Sequence, residues 1–294
     1  MLIPFRDKFI AVKEWDCHLG NLPSQRLQPF VNIFVKVTNG CNAKCRFCSN
    51  AGAPTCRRAF NIDRLVEAID EIRASDIKIN RINITGGEPA IVPDLVENLL
   101  AVLSKKKYND IHVHLNTNGL LATSQALMRH ERWDSISMSL HHYVLTTLSE
   151  IYGCEIPGDA FCFNGIEMDK LNASCNLIKG YIDNLDDIHR MLDFTIDLGI
   201  KRIGFVALMK VNRFCEEHYL GLDEVDLTRI PHVYFLKSMN RGADCMCSNY
   251  LYNNNLKVLE IYMRNYSNPN YCESGLVYDG EYLRQGFGAD NIIM

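Results

Sequence analysis

Residues 31–48 read VNIFVKVTNGCNAKCRFC. The opening run is short and rich in β-branched residues, which predicts a strand over Val31–Val37 that enters the polar loop Thr38-Asn39-Gly40. Cys41, Cys45 and Cys48 follow in that loop. Behind them Asn61 is a good N-cap, and Ile62, Leu65, Val66, Ile69 and Ile72 recur at helical spacing, so an amphipathic helix is expected. The unit then repeats. Arg81–Thr85 reads as a strand ending in Gly86-Gly87-Glu88-Pro89, and Pro93 opens a helix carrying Leu95, Leu99, Val102 and Leu103. Ile111–Asn116 ends in Asn-Thr-Asn-Gly and precedes a short helix from about Ser124 to His130, while Ser135–Leu140 ends at His141-His142. After a less regular stretch come a strand at Ala173–Lys179, a helix capped by Asn184 and stopped at Gly199, and a sixth strand at Arg202–Leu208. Strands alternating with helices imply right-handed βαβ units and a parallel sheet, open or closed into a barrel.

The chain has 294 residues, long for one average domain but usual for an α/β barrel with an appendage. We divide it into an N-terminal extension (1–30), the βα region (31–209) and a C-terminal extension or lid (210–294), the last rich in Asn and Tyr. Hydrophobic residues at 47% and charged residues at 22% exclude a disordered or fibrous chain. A net charge of −4, with no basic block beyond Lys105-Lys106-Lys107, argues against binding a nucleic-acid polymer. No apolar run is long enough to cross a bilayer and no secretory segment is evident, so a cytoplasmic protein without a membrane partner is expected. Twelve cysteines in a reducing compartment point to metal or cluster ligation rather than disulfides.

Three thiolates at C-x3-C-x2-C spacing in one tight loop can reach three irons of a cubane cluster and leave the fourth iron open to a small ligand. The same residues also suit a zinc ion with a distant fourth ligand, or simply pack as small hydrophobes. Position favours chemistry. In βα folds ligands collect at the carboxyl ends of the strands, where Cys41, Gly86, the Asn116–Gly119 turn and His141 all fall. Two glycines at Gly86-Gly87 let backbone approach a ligand closely, and Glu88 can accept from an ammonium.

The cysteine spacing, with Phe47 just before the last cysteine, resembles the signature of the radical SAM superfamily. The resemblance implies a partial (β/α)6-type barrel with a C-terminal cysteine-containing extension. It also implies a [4Fe–4S] cluster on Cys41, Cys45 and Cys48, with S-adenosylmethionine (SAM) on the open iron and split by one electron to methionine and a 5′-deoxyadenosyl radical. A one-electron reductant such as flavodoxin or ferredoxin is then the expected partner. Gly86-Gly87-Glu88 matches the family's GGE motif for the SAM amino group. By the same resemblance Phe47, Asn116 and Thr117 would line the SAM pocket, and Ser137 or Ser139 would hold its ribose or carboxylate. His141 and Lys179 are candidate catalytic residues, for a proton relay or substrate contact.

Cys245, Cys247 and Cys272 resemble the SPASM and Twitch extensions of such enzymes but fall short of a four-ligand set, so zinc, an auxiliary cluster and free thiols stay open there. The layout also looks like that of the cyclase making the molybdopterin precursor from GTP, without that enzyme's C-terminal cluster pattern. Size and the incomplete motif are similar to queuine lyase, which implies a small nucleobase-like substrate and salvage chemistry. Such a base would need a buried carboxylate, and Glu155, Asp159, Glu167, Asp183 and Asp279 are the candidates, with Gly286, Phe287 and Gly288 as a lid. The alternatives are a peptide-modifying maturase and a non-catalytic iron–sulfur or zinc protein.

Overall fold

A computed structural model describes residues 1–13, 28–49, 59–238, 246–255, 257–265, 275–286 and 291–294. An N-terminal hairpin pairs β1 (Leu2–Phe5) with β2 (Lys8–Ala11). The βα region follows as β3 (Phe30–Lys36), α1 (Ile62–Ala74), β4 (Lys78–Thr85), α2 (Pro93–Leu103), β5 (His112–Thr117), α3 (Ala122–Met128), β6 (Ser135–Ser139), α4 (Leu145–Tyr152), β7 (Leu171–Leu177), α5 (Leu185–Asp197) and β8 (Arg202–Ala207). After α6 (Arg213–Glu217) come β9 (Val233–Ser238), β10 (Ser248–Asn254), β11 (Lys257–Asn265), β12 (Gly275–Tyr278) and β13 (Leu283–Gln285).

The predicted six strands form in the predicted order, and the caps work as read. Asn61 accepts from Arg64 N and Asn184 from Asp187 N, each satisfying an orphan donor of the first helical turn. α4 occupies the stretch whose periodicity was too irregular to read. It ends at Gly153, whose φ of +61° is the left-handed cap that glycine favours.

The sheet order is β13-β12-β3-β4-β5-β6-β7-β8-β11-β10-β9. β12 joins β3 in parallel and β11 joins β8 in parallel, so residues after 210 widen the parallel sheet on both flanks before antiparallel strands finish it. The two outermost strands, β13 and β9, do not pair with each other among the described residues, and the sheet is an open, partial barrel.

Strict alternation gives the sheet two unlike faces. Ile33, Val35, Ile82, Ile84, Val113, Leu115, Ile136, Met138, Ile203 and Phe205 are wholly buried on the helix-covered face. The register puts Asn32, Asn83, His114, Asn116, Ser137, Ser139, Ser174 and Asn176 together on the other face, which lines the interior of the partial barrel. One face supplies the core and the other a polar surface at whose carboxyl end the candidate residues stand.

Candidate functional site

The cysteine loop is fastened from several sides. Gly87 N donates to Thr38 O and Glu88 N to Gly40 O, both at 2.7 Å, so the β4 end lies backbone against backbone on the segment leading to Cys41. A Cβ at Gly86 would sit 2.3 Å from Thr38 O, and one at Gly87 1.9 Å from Gly40 O. Only glycine permits that approach. The glycines therefore let the two loops come together.

Further along, Lys44 N donates to Tyr152 O at 2.7 Å at the end of α4, and Asn212 Nδ2 donates to Arg46 O at 3.0 Å from the loop after β8. Phe47 leans on the cluster of Ile151, Ile178, Leu208 and Cys215 and meets the His141 ring edge-on at 4.8 Å. In this structure it is an apolar anchor for the loop.

Glu88 is 1% exposed and ties three pieces of chain together. Its carboxylate accepts from Thr117 Oγ1 at 2.6 Å, Asn118 N at 2.7 Å and Ala90 N at 3.1 Å. Burial pushes its pKa up and those donors oppose the shift. Among the described residues it is the one buried carboxylate; Glu155, Asp159 and Glu167 are exposed, and Asp279 pairs with Arg284 at 3.0 Å. The Glu88→Gln variant would turn an amide NH2 toward one of these donors, and we expect a loss of about 1–3 kcal/mol, read as a lowered midpoint of thermal unfolding.

The three thiols are partly buried. Burial raises the Cys41 pKa and, with the nearby Cys48, Cys41 and Cys154 sulfurs, pushes Cys45 up to about 12. The Cys41 and Cys45 thiols, which resist ionising, are suited to a cationic centre that stabilises their thiolates. Cys41 Sγ already receives Ala43 N at 3.4 Å and Asn118 Nδ2 at 3.8 Å, donors that favour its charged form. No three His, Cys, Asp or Glu side chains among the described residues converge as the ligands of a single ion would. Thiolates that each take a different iron of one cluster need no such convergence. The donor set thus fits a cluster.

Two residues at the site went unread in the sequence. Asn118, in the quoted Asn-Thr-Asn-Gly turn, donates from Nδ2 to Asn42 Oδ1 at 2.8 Å and links the β5 end to the cysteine loop. Cys154, just past α4, stands near enough to raise both Cys41 and Cys45; with α4 unread there was no signal for it.

Asn116, Ser137 and Ser139 lie half-buried on the interior face, whereas Thr117 points its hydroxyl at Glu88. His141 is buried, accepts at Nδ1 from Asn176 N at 3.1 Å, and is pushed down to about 3 by burial, so it is neutral with its proton on Nε2. His142 Nδ1 accepts from Val144 N at 2.9 Å, a turn contact. Lys179 is exposed, and its ammonium lies 3.8 Å from Glu224. Cys247 is buried and accepts from Asn265 N; Cys245, Cys272, Phe287 and Gly288 lie outside the described residues. Gly286 turns with a φ of +72°.

For His141 the folded pKa lies below the unfolded one, so its contribution to stability is present above about 6.5 and drains as pH falls from there toward about 3. Unfolding free energies from pH 7 to 5 should decline more steeply in the parent than in His141→Asn, by at most about 1.4 kcal/mol per pH unit. Parallel curves would refute a buried, neutral imidazole.

Residues 35–146, which span β3 to the start of α4 and include all three thiols, match the radical SAM superfamily. This stretch of the chain is a radical SAM domain. Such a domain implies a [4Fe–4S] cluster and SAM. Among curated proteins, GTP 3′,8-cyclase of Lactiplantibacillus plantarum is 25% identical over 210 residues, covering 68% of this chain and 61% of that protein. A probable GTP 3′,8-cyclase of Saccharolobus islandicus is 26% identical over 191 residues, covering 63% and 59%. The match thus spans about three fifths of these relatives' length. Among solved structures, Streptococcus suis SuiB bound to SAM superposes with a TM-score of 0.52 at 18% identity, over 65% of this chain and 44% of that one. The same protein bound to its precursor peptide SuiA gives 0.53 at 19%, over 67% and 44%. At such identities the likeness establishes the fold. No helix among the described residues is long and apolar enough to cross a membrane.

Proposed function

We propose that this radical SAM protein is an enzyme that cleaves SAM reductively and removes a hydrogen atom from a small, polar substrate held in the barrel interior. The observation that carries the reading is the cysteine loop itself: three thiols at the carboxyl end of β3, fastened to the ends of β4 and β5, to α4 and to the loop after β8. Cys41, Cys45 and Cys48 would hold the cluster, which when loaded supplies the electron that splits SAM into methionine and a 5′-deoxyadenosyl radical. The chain's own part is positioning and exclusion. Glu88 and Asn118 hold the loops in register, Phe47 seals the loop against apolar neighbours, and Asn116, Ser137 and Ser139 offer hydrogen bonds to whatever enters the interior.

For the substrate we infer a guanine-type purine. The curated relatives are named for a cyclase acting on GTP, and 7-deazaguanine bases such as queuine share that hydrogen-bonding edge. No relative given above is named for queuine or for a lyase, so the cyclase relatives weigh toward a nucleotide. Cytoplasmic location and a flavodoxin or ferredoxin as reductant complete the proposal.

The test is anaerobic reconstitution followed by SAM, dithionite and a deuterated candidate: GTP, guanosine, queuine, or a peptide pool. Deuterium in 5′-deoxyadenosine from a purine supports the reading, and transfer solely from peptide overturns it. Metal analysis of the same sample reads the C-terminal cysteines. Iron matching one cubane per chain assigns the metal to the loop alone, and further iron or zinc would give Cys245, Cys247 and Cys272 a centre of their own.

A further inference from the structure

We infer that the carboxyl end of β11 carries a docking subsite for an anionic oxygen group, a carboxylate or a phosphate, of the substrate; this rests on the reading that the interior holds one. Alternation along β11 puts Glu260, Tyr262 and Arg264 on the interior face, in register with Arg202, Gly204 and Val206 of β8. Arg264 is 4% exposed. Its Nη1 donates to Met263 O at 2.8 Å and Ser248 O at 3.1 Å, which fixes the plane of the guanidinium. Nε is buried without a partner, Nη2 donates to nothing among the described residues, and no carboxylate there lies within ion-pair distance. The free side is therefore the Nε–Nη2 edge, one of those through which arginine grips a carboxylate or phosphate with two parallel hydrogen bonds.

A second group points the same way. Asn249 on β10 stands opposite Tyr262 on the same face, is 9% exposed, and its Oδ1 is also buried without a donor. The Tyr262 ring lies 5.0 Å from the guanidinium carbon. Buried cations are ordinarily paired, and buried acceptors ordinarily filled, because leaving either bare is unfavourable. An unfilled cation edge with an unfilled acceptor nearby suits an anion that carries a donor beside it, such as a phosphate next to a sugar hydroxyl or a carboxylate next to an amine. The place is also right. β11 runs parallel to β8, so Arg264 lies at the same end of the sheet as the cysteine loop, beside Val206 and two residues short of Leu208, which packs with Phe47.

The test uses the reconstituted protein and the Arg264 Nε–H signal in nitrogen-15 NMR, assigned by its loss in Arg264→Gln. Inorganic pyrophosphate and malonate are titrated separately as the phosphate and carboxylate probes. We expect a saturable shift, weakened at least tenfold in Arg264→Gln and also in Asn249→Asp, whose added carboxylate keeps the side chain's shape and competes for the guanidinium; the tighter probe identifies the group. Circular dichroism of Asn249→Asp checks that the fold persists. Absence of a shift with both probes, or equal affinity in the variants, overturns the subsite. Weakened SAM binding in Arg264→Gln would assign the edge to the SAM carboxylate and likewise overturn it. The titration requires no radical chemistry, so its failure is separable from a failure to form 5′-deoxyadenosine.

Discussion

Replacing Cys41 by alanine is expected to remove both the cluster's visible absorbance and all 5′-deoxyadenosine formation. In the proposed site each of the three thiols would serve one iron, so loss of any one would leave two irons unheld and the cluster would not be retained. Cys41 is the informative choice because its sulfur is the one the fold has prepared, with Ala43 N and Asn118 Nδ2 directed at it. Asn118→Ala should have a graded effect in comparison, about 10–100-fold in activity, since partners behind a ligand orient it and do not replace it. Cys162→Ser, at an exposed cysteine, serves as the control and should leave both readouts unchanged. Full 5′-deoxyadenosine production by Cys41→Ala would remove the basis of the assignment.

The second large effect belongs to a residue with no reactive group. Gly87→Ala places a methyl 1.9 Å from Gly40 O, a distance no carbon and oxygen share without a bond, so one loop must retreat from the other. Retreat breaks the pair of 2.7 Å backbone hydrogen bonds and shifts the segment entering Cys41. Overpacking of this kind costs about 1–3 kcal/mol, and the lost bonds add to it. We expect a thermal midpoint lower by several degrees and markedly reduced iron content after reconstitution, with SAM cleavage falling in proportion to iron. A variant that loads iron normally would mean that this close approach is not what holds the cysteine loop in the form that takes up iron.

Much of this architecture was legible in the residues themselves. Helical spacing behind Asn61 and Asn184 marked α1 and α5 because caps and apolar stripes are local properties, determined within a few turns of chain. The short β-branched runs ending in Cys41, Gly86, Asn116 and His141 marked both the strands and the rim, since a parallel βα order sends every strand's carboxyl end the same way. α4 escaped notice because its apolar residues, Leu148, Ile151 and Tyr152, cover only two turns, and with it went the neighbourhood of Cys154.

The C-terminal third was harder for a different reason. β11 and β12 are strands because β8 and β3 offer open edges to pair with, a long-range condition that no window of sequence contains.

The sequence by itself determined the alternating order of strands and helices, the end of the sheet at which chemistry would collect, and the three sulfurs available for it, all of which follow from local periodicity and spacing. Only the tertiary structure decided the roles of the neighbours. It showed that Gly86 and Gly87 pack against the cysteine loop, that Glu88 accepts from Thr117, Asn118 and Ala90, and that Arg264 faces the interior with one edge unpaired. Close approach, burial and partnership depend on which distant segments the fold brings together.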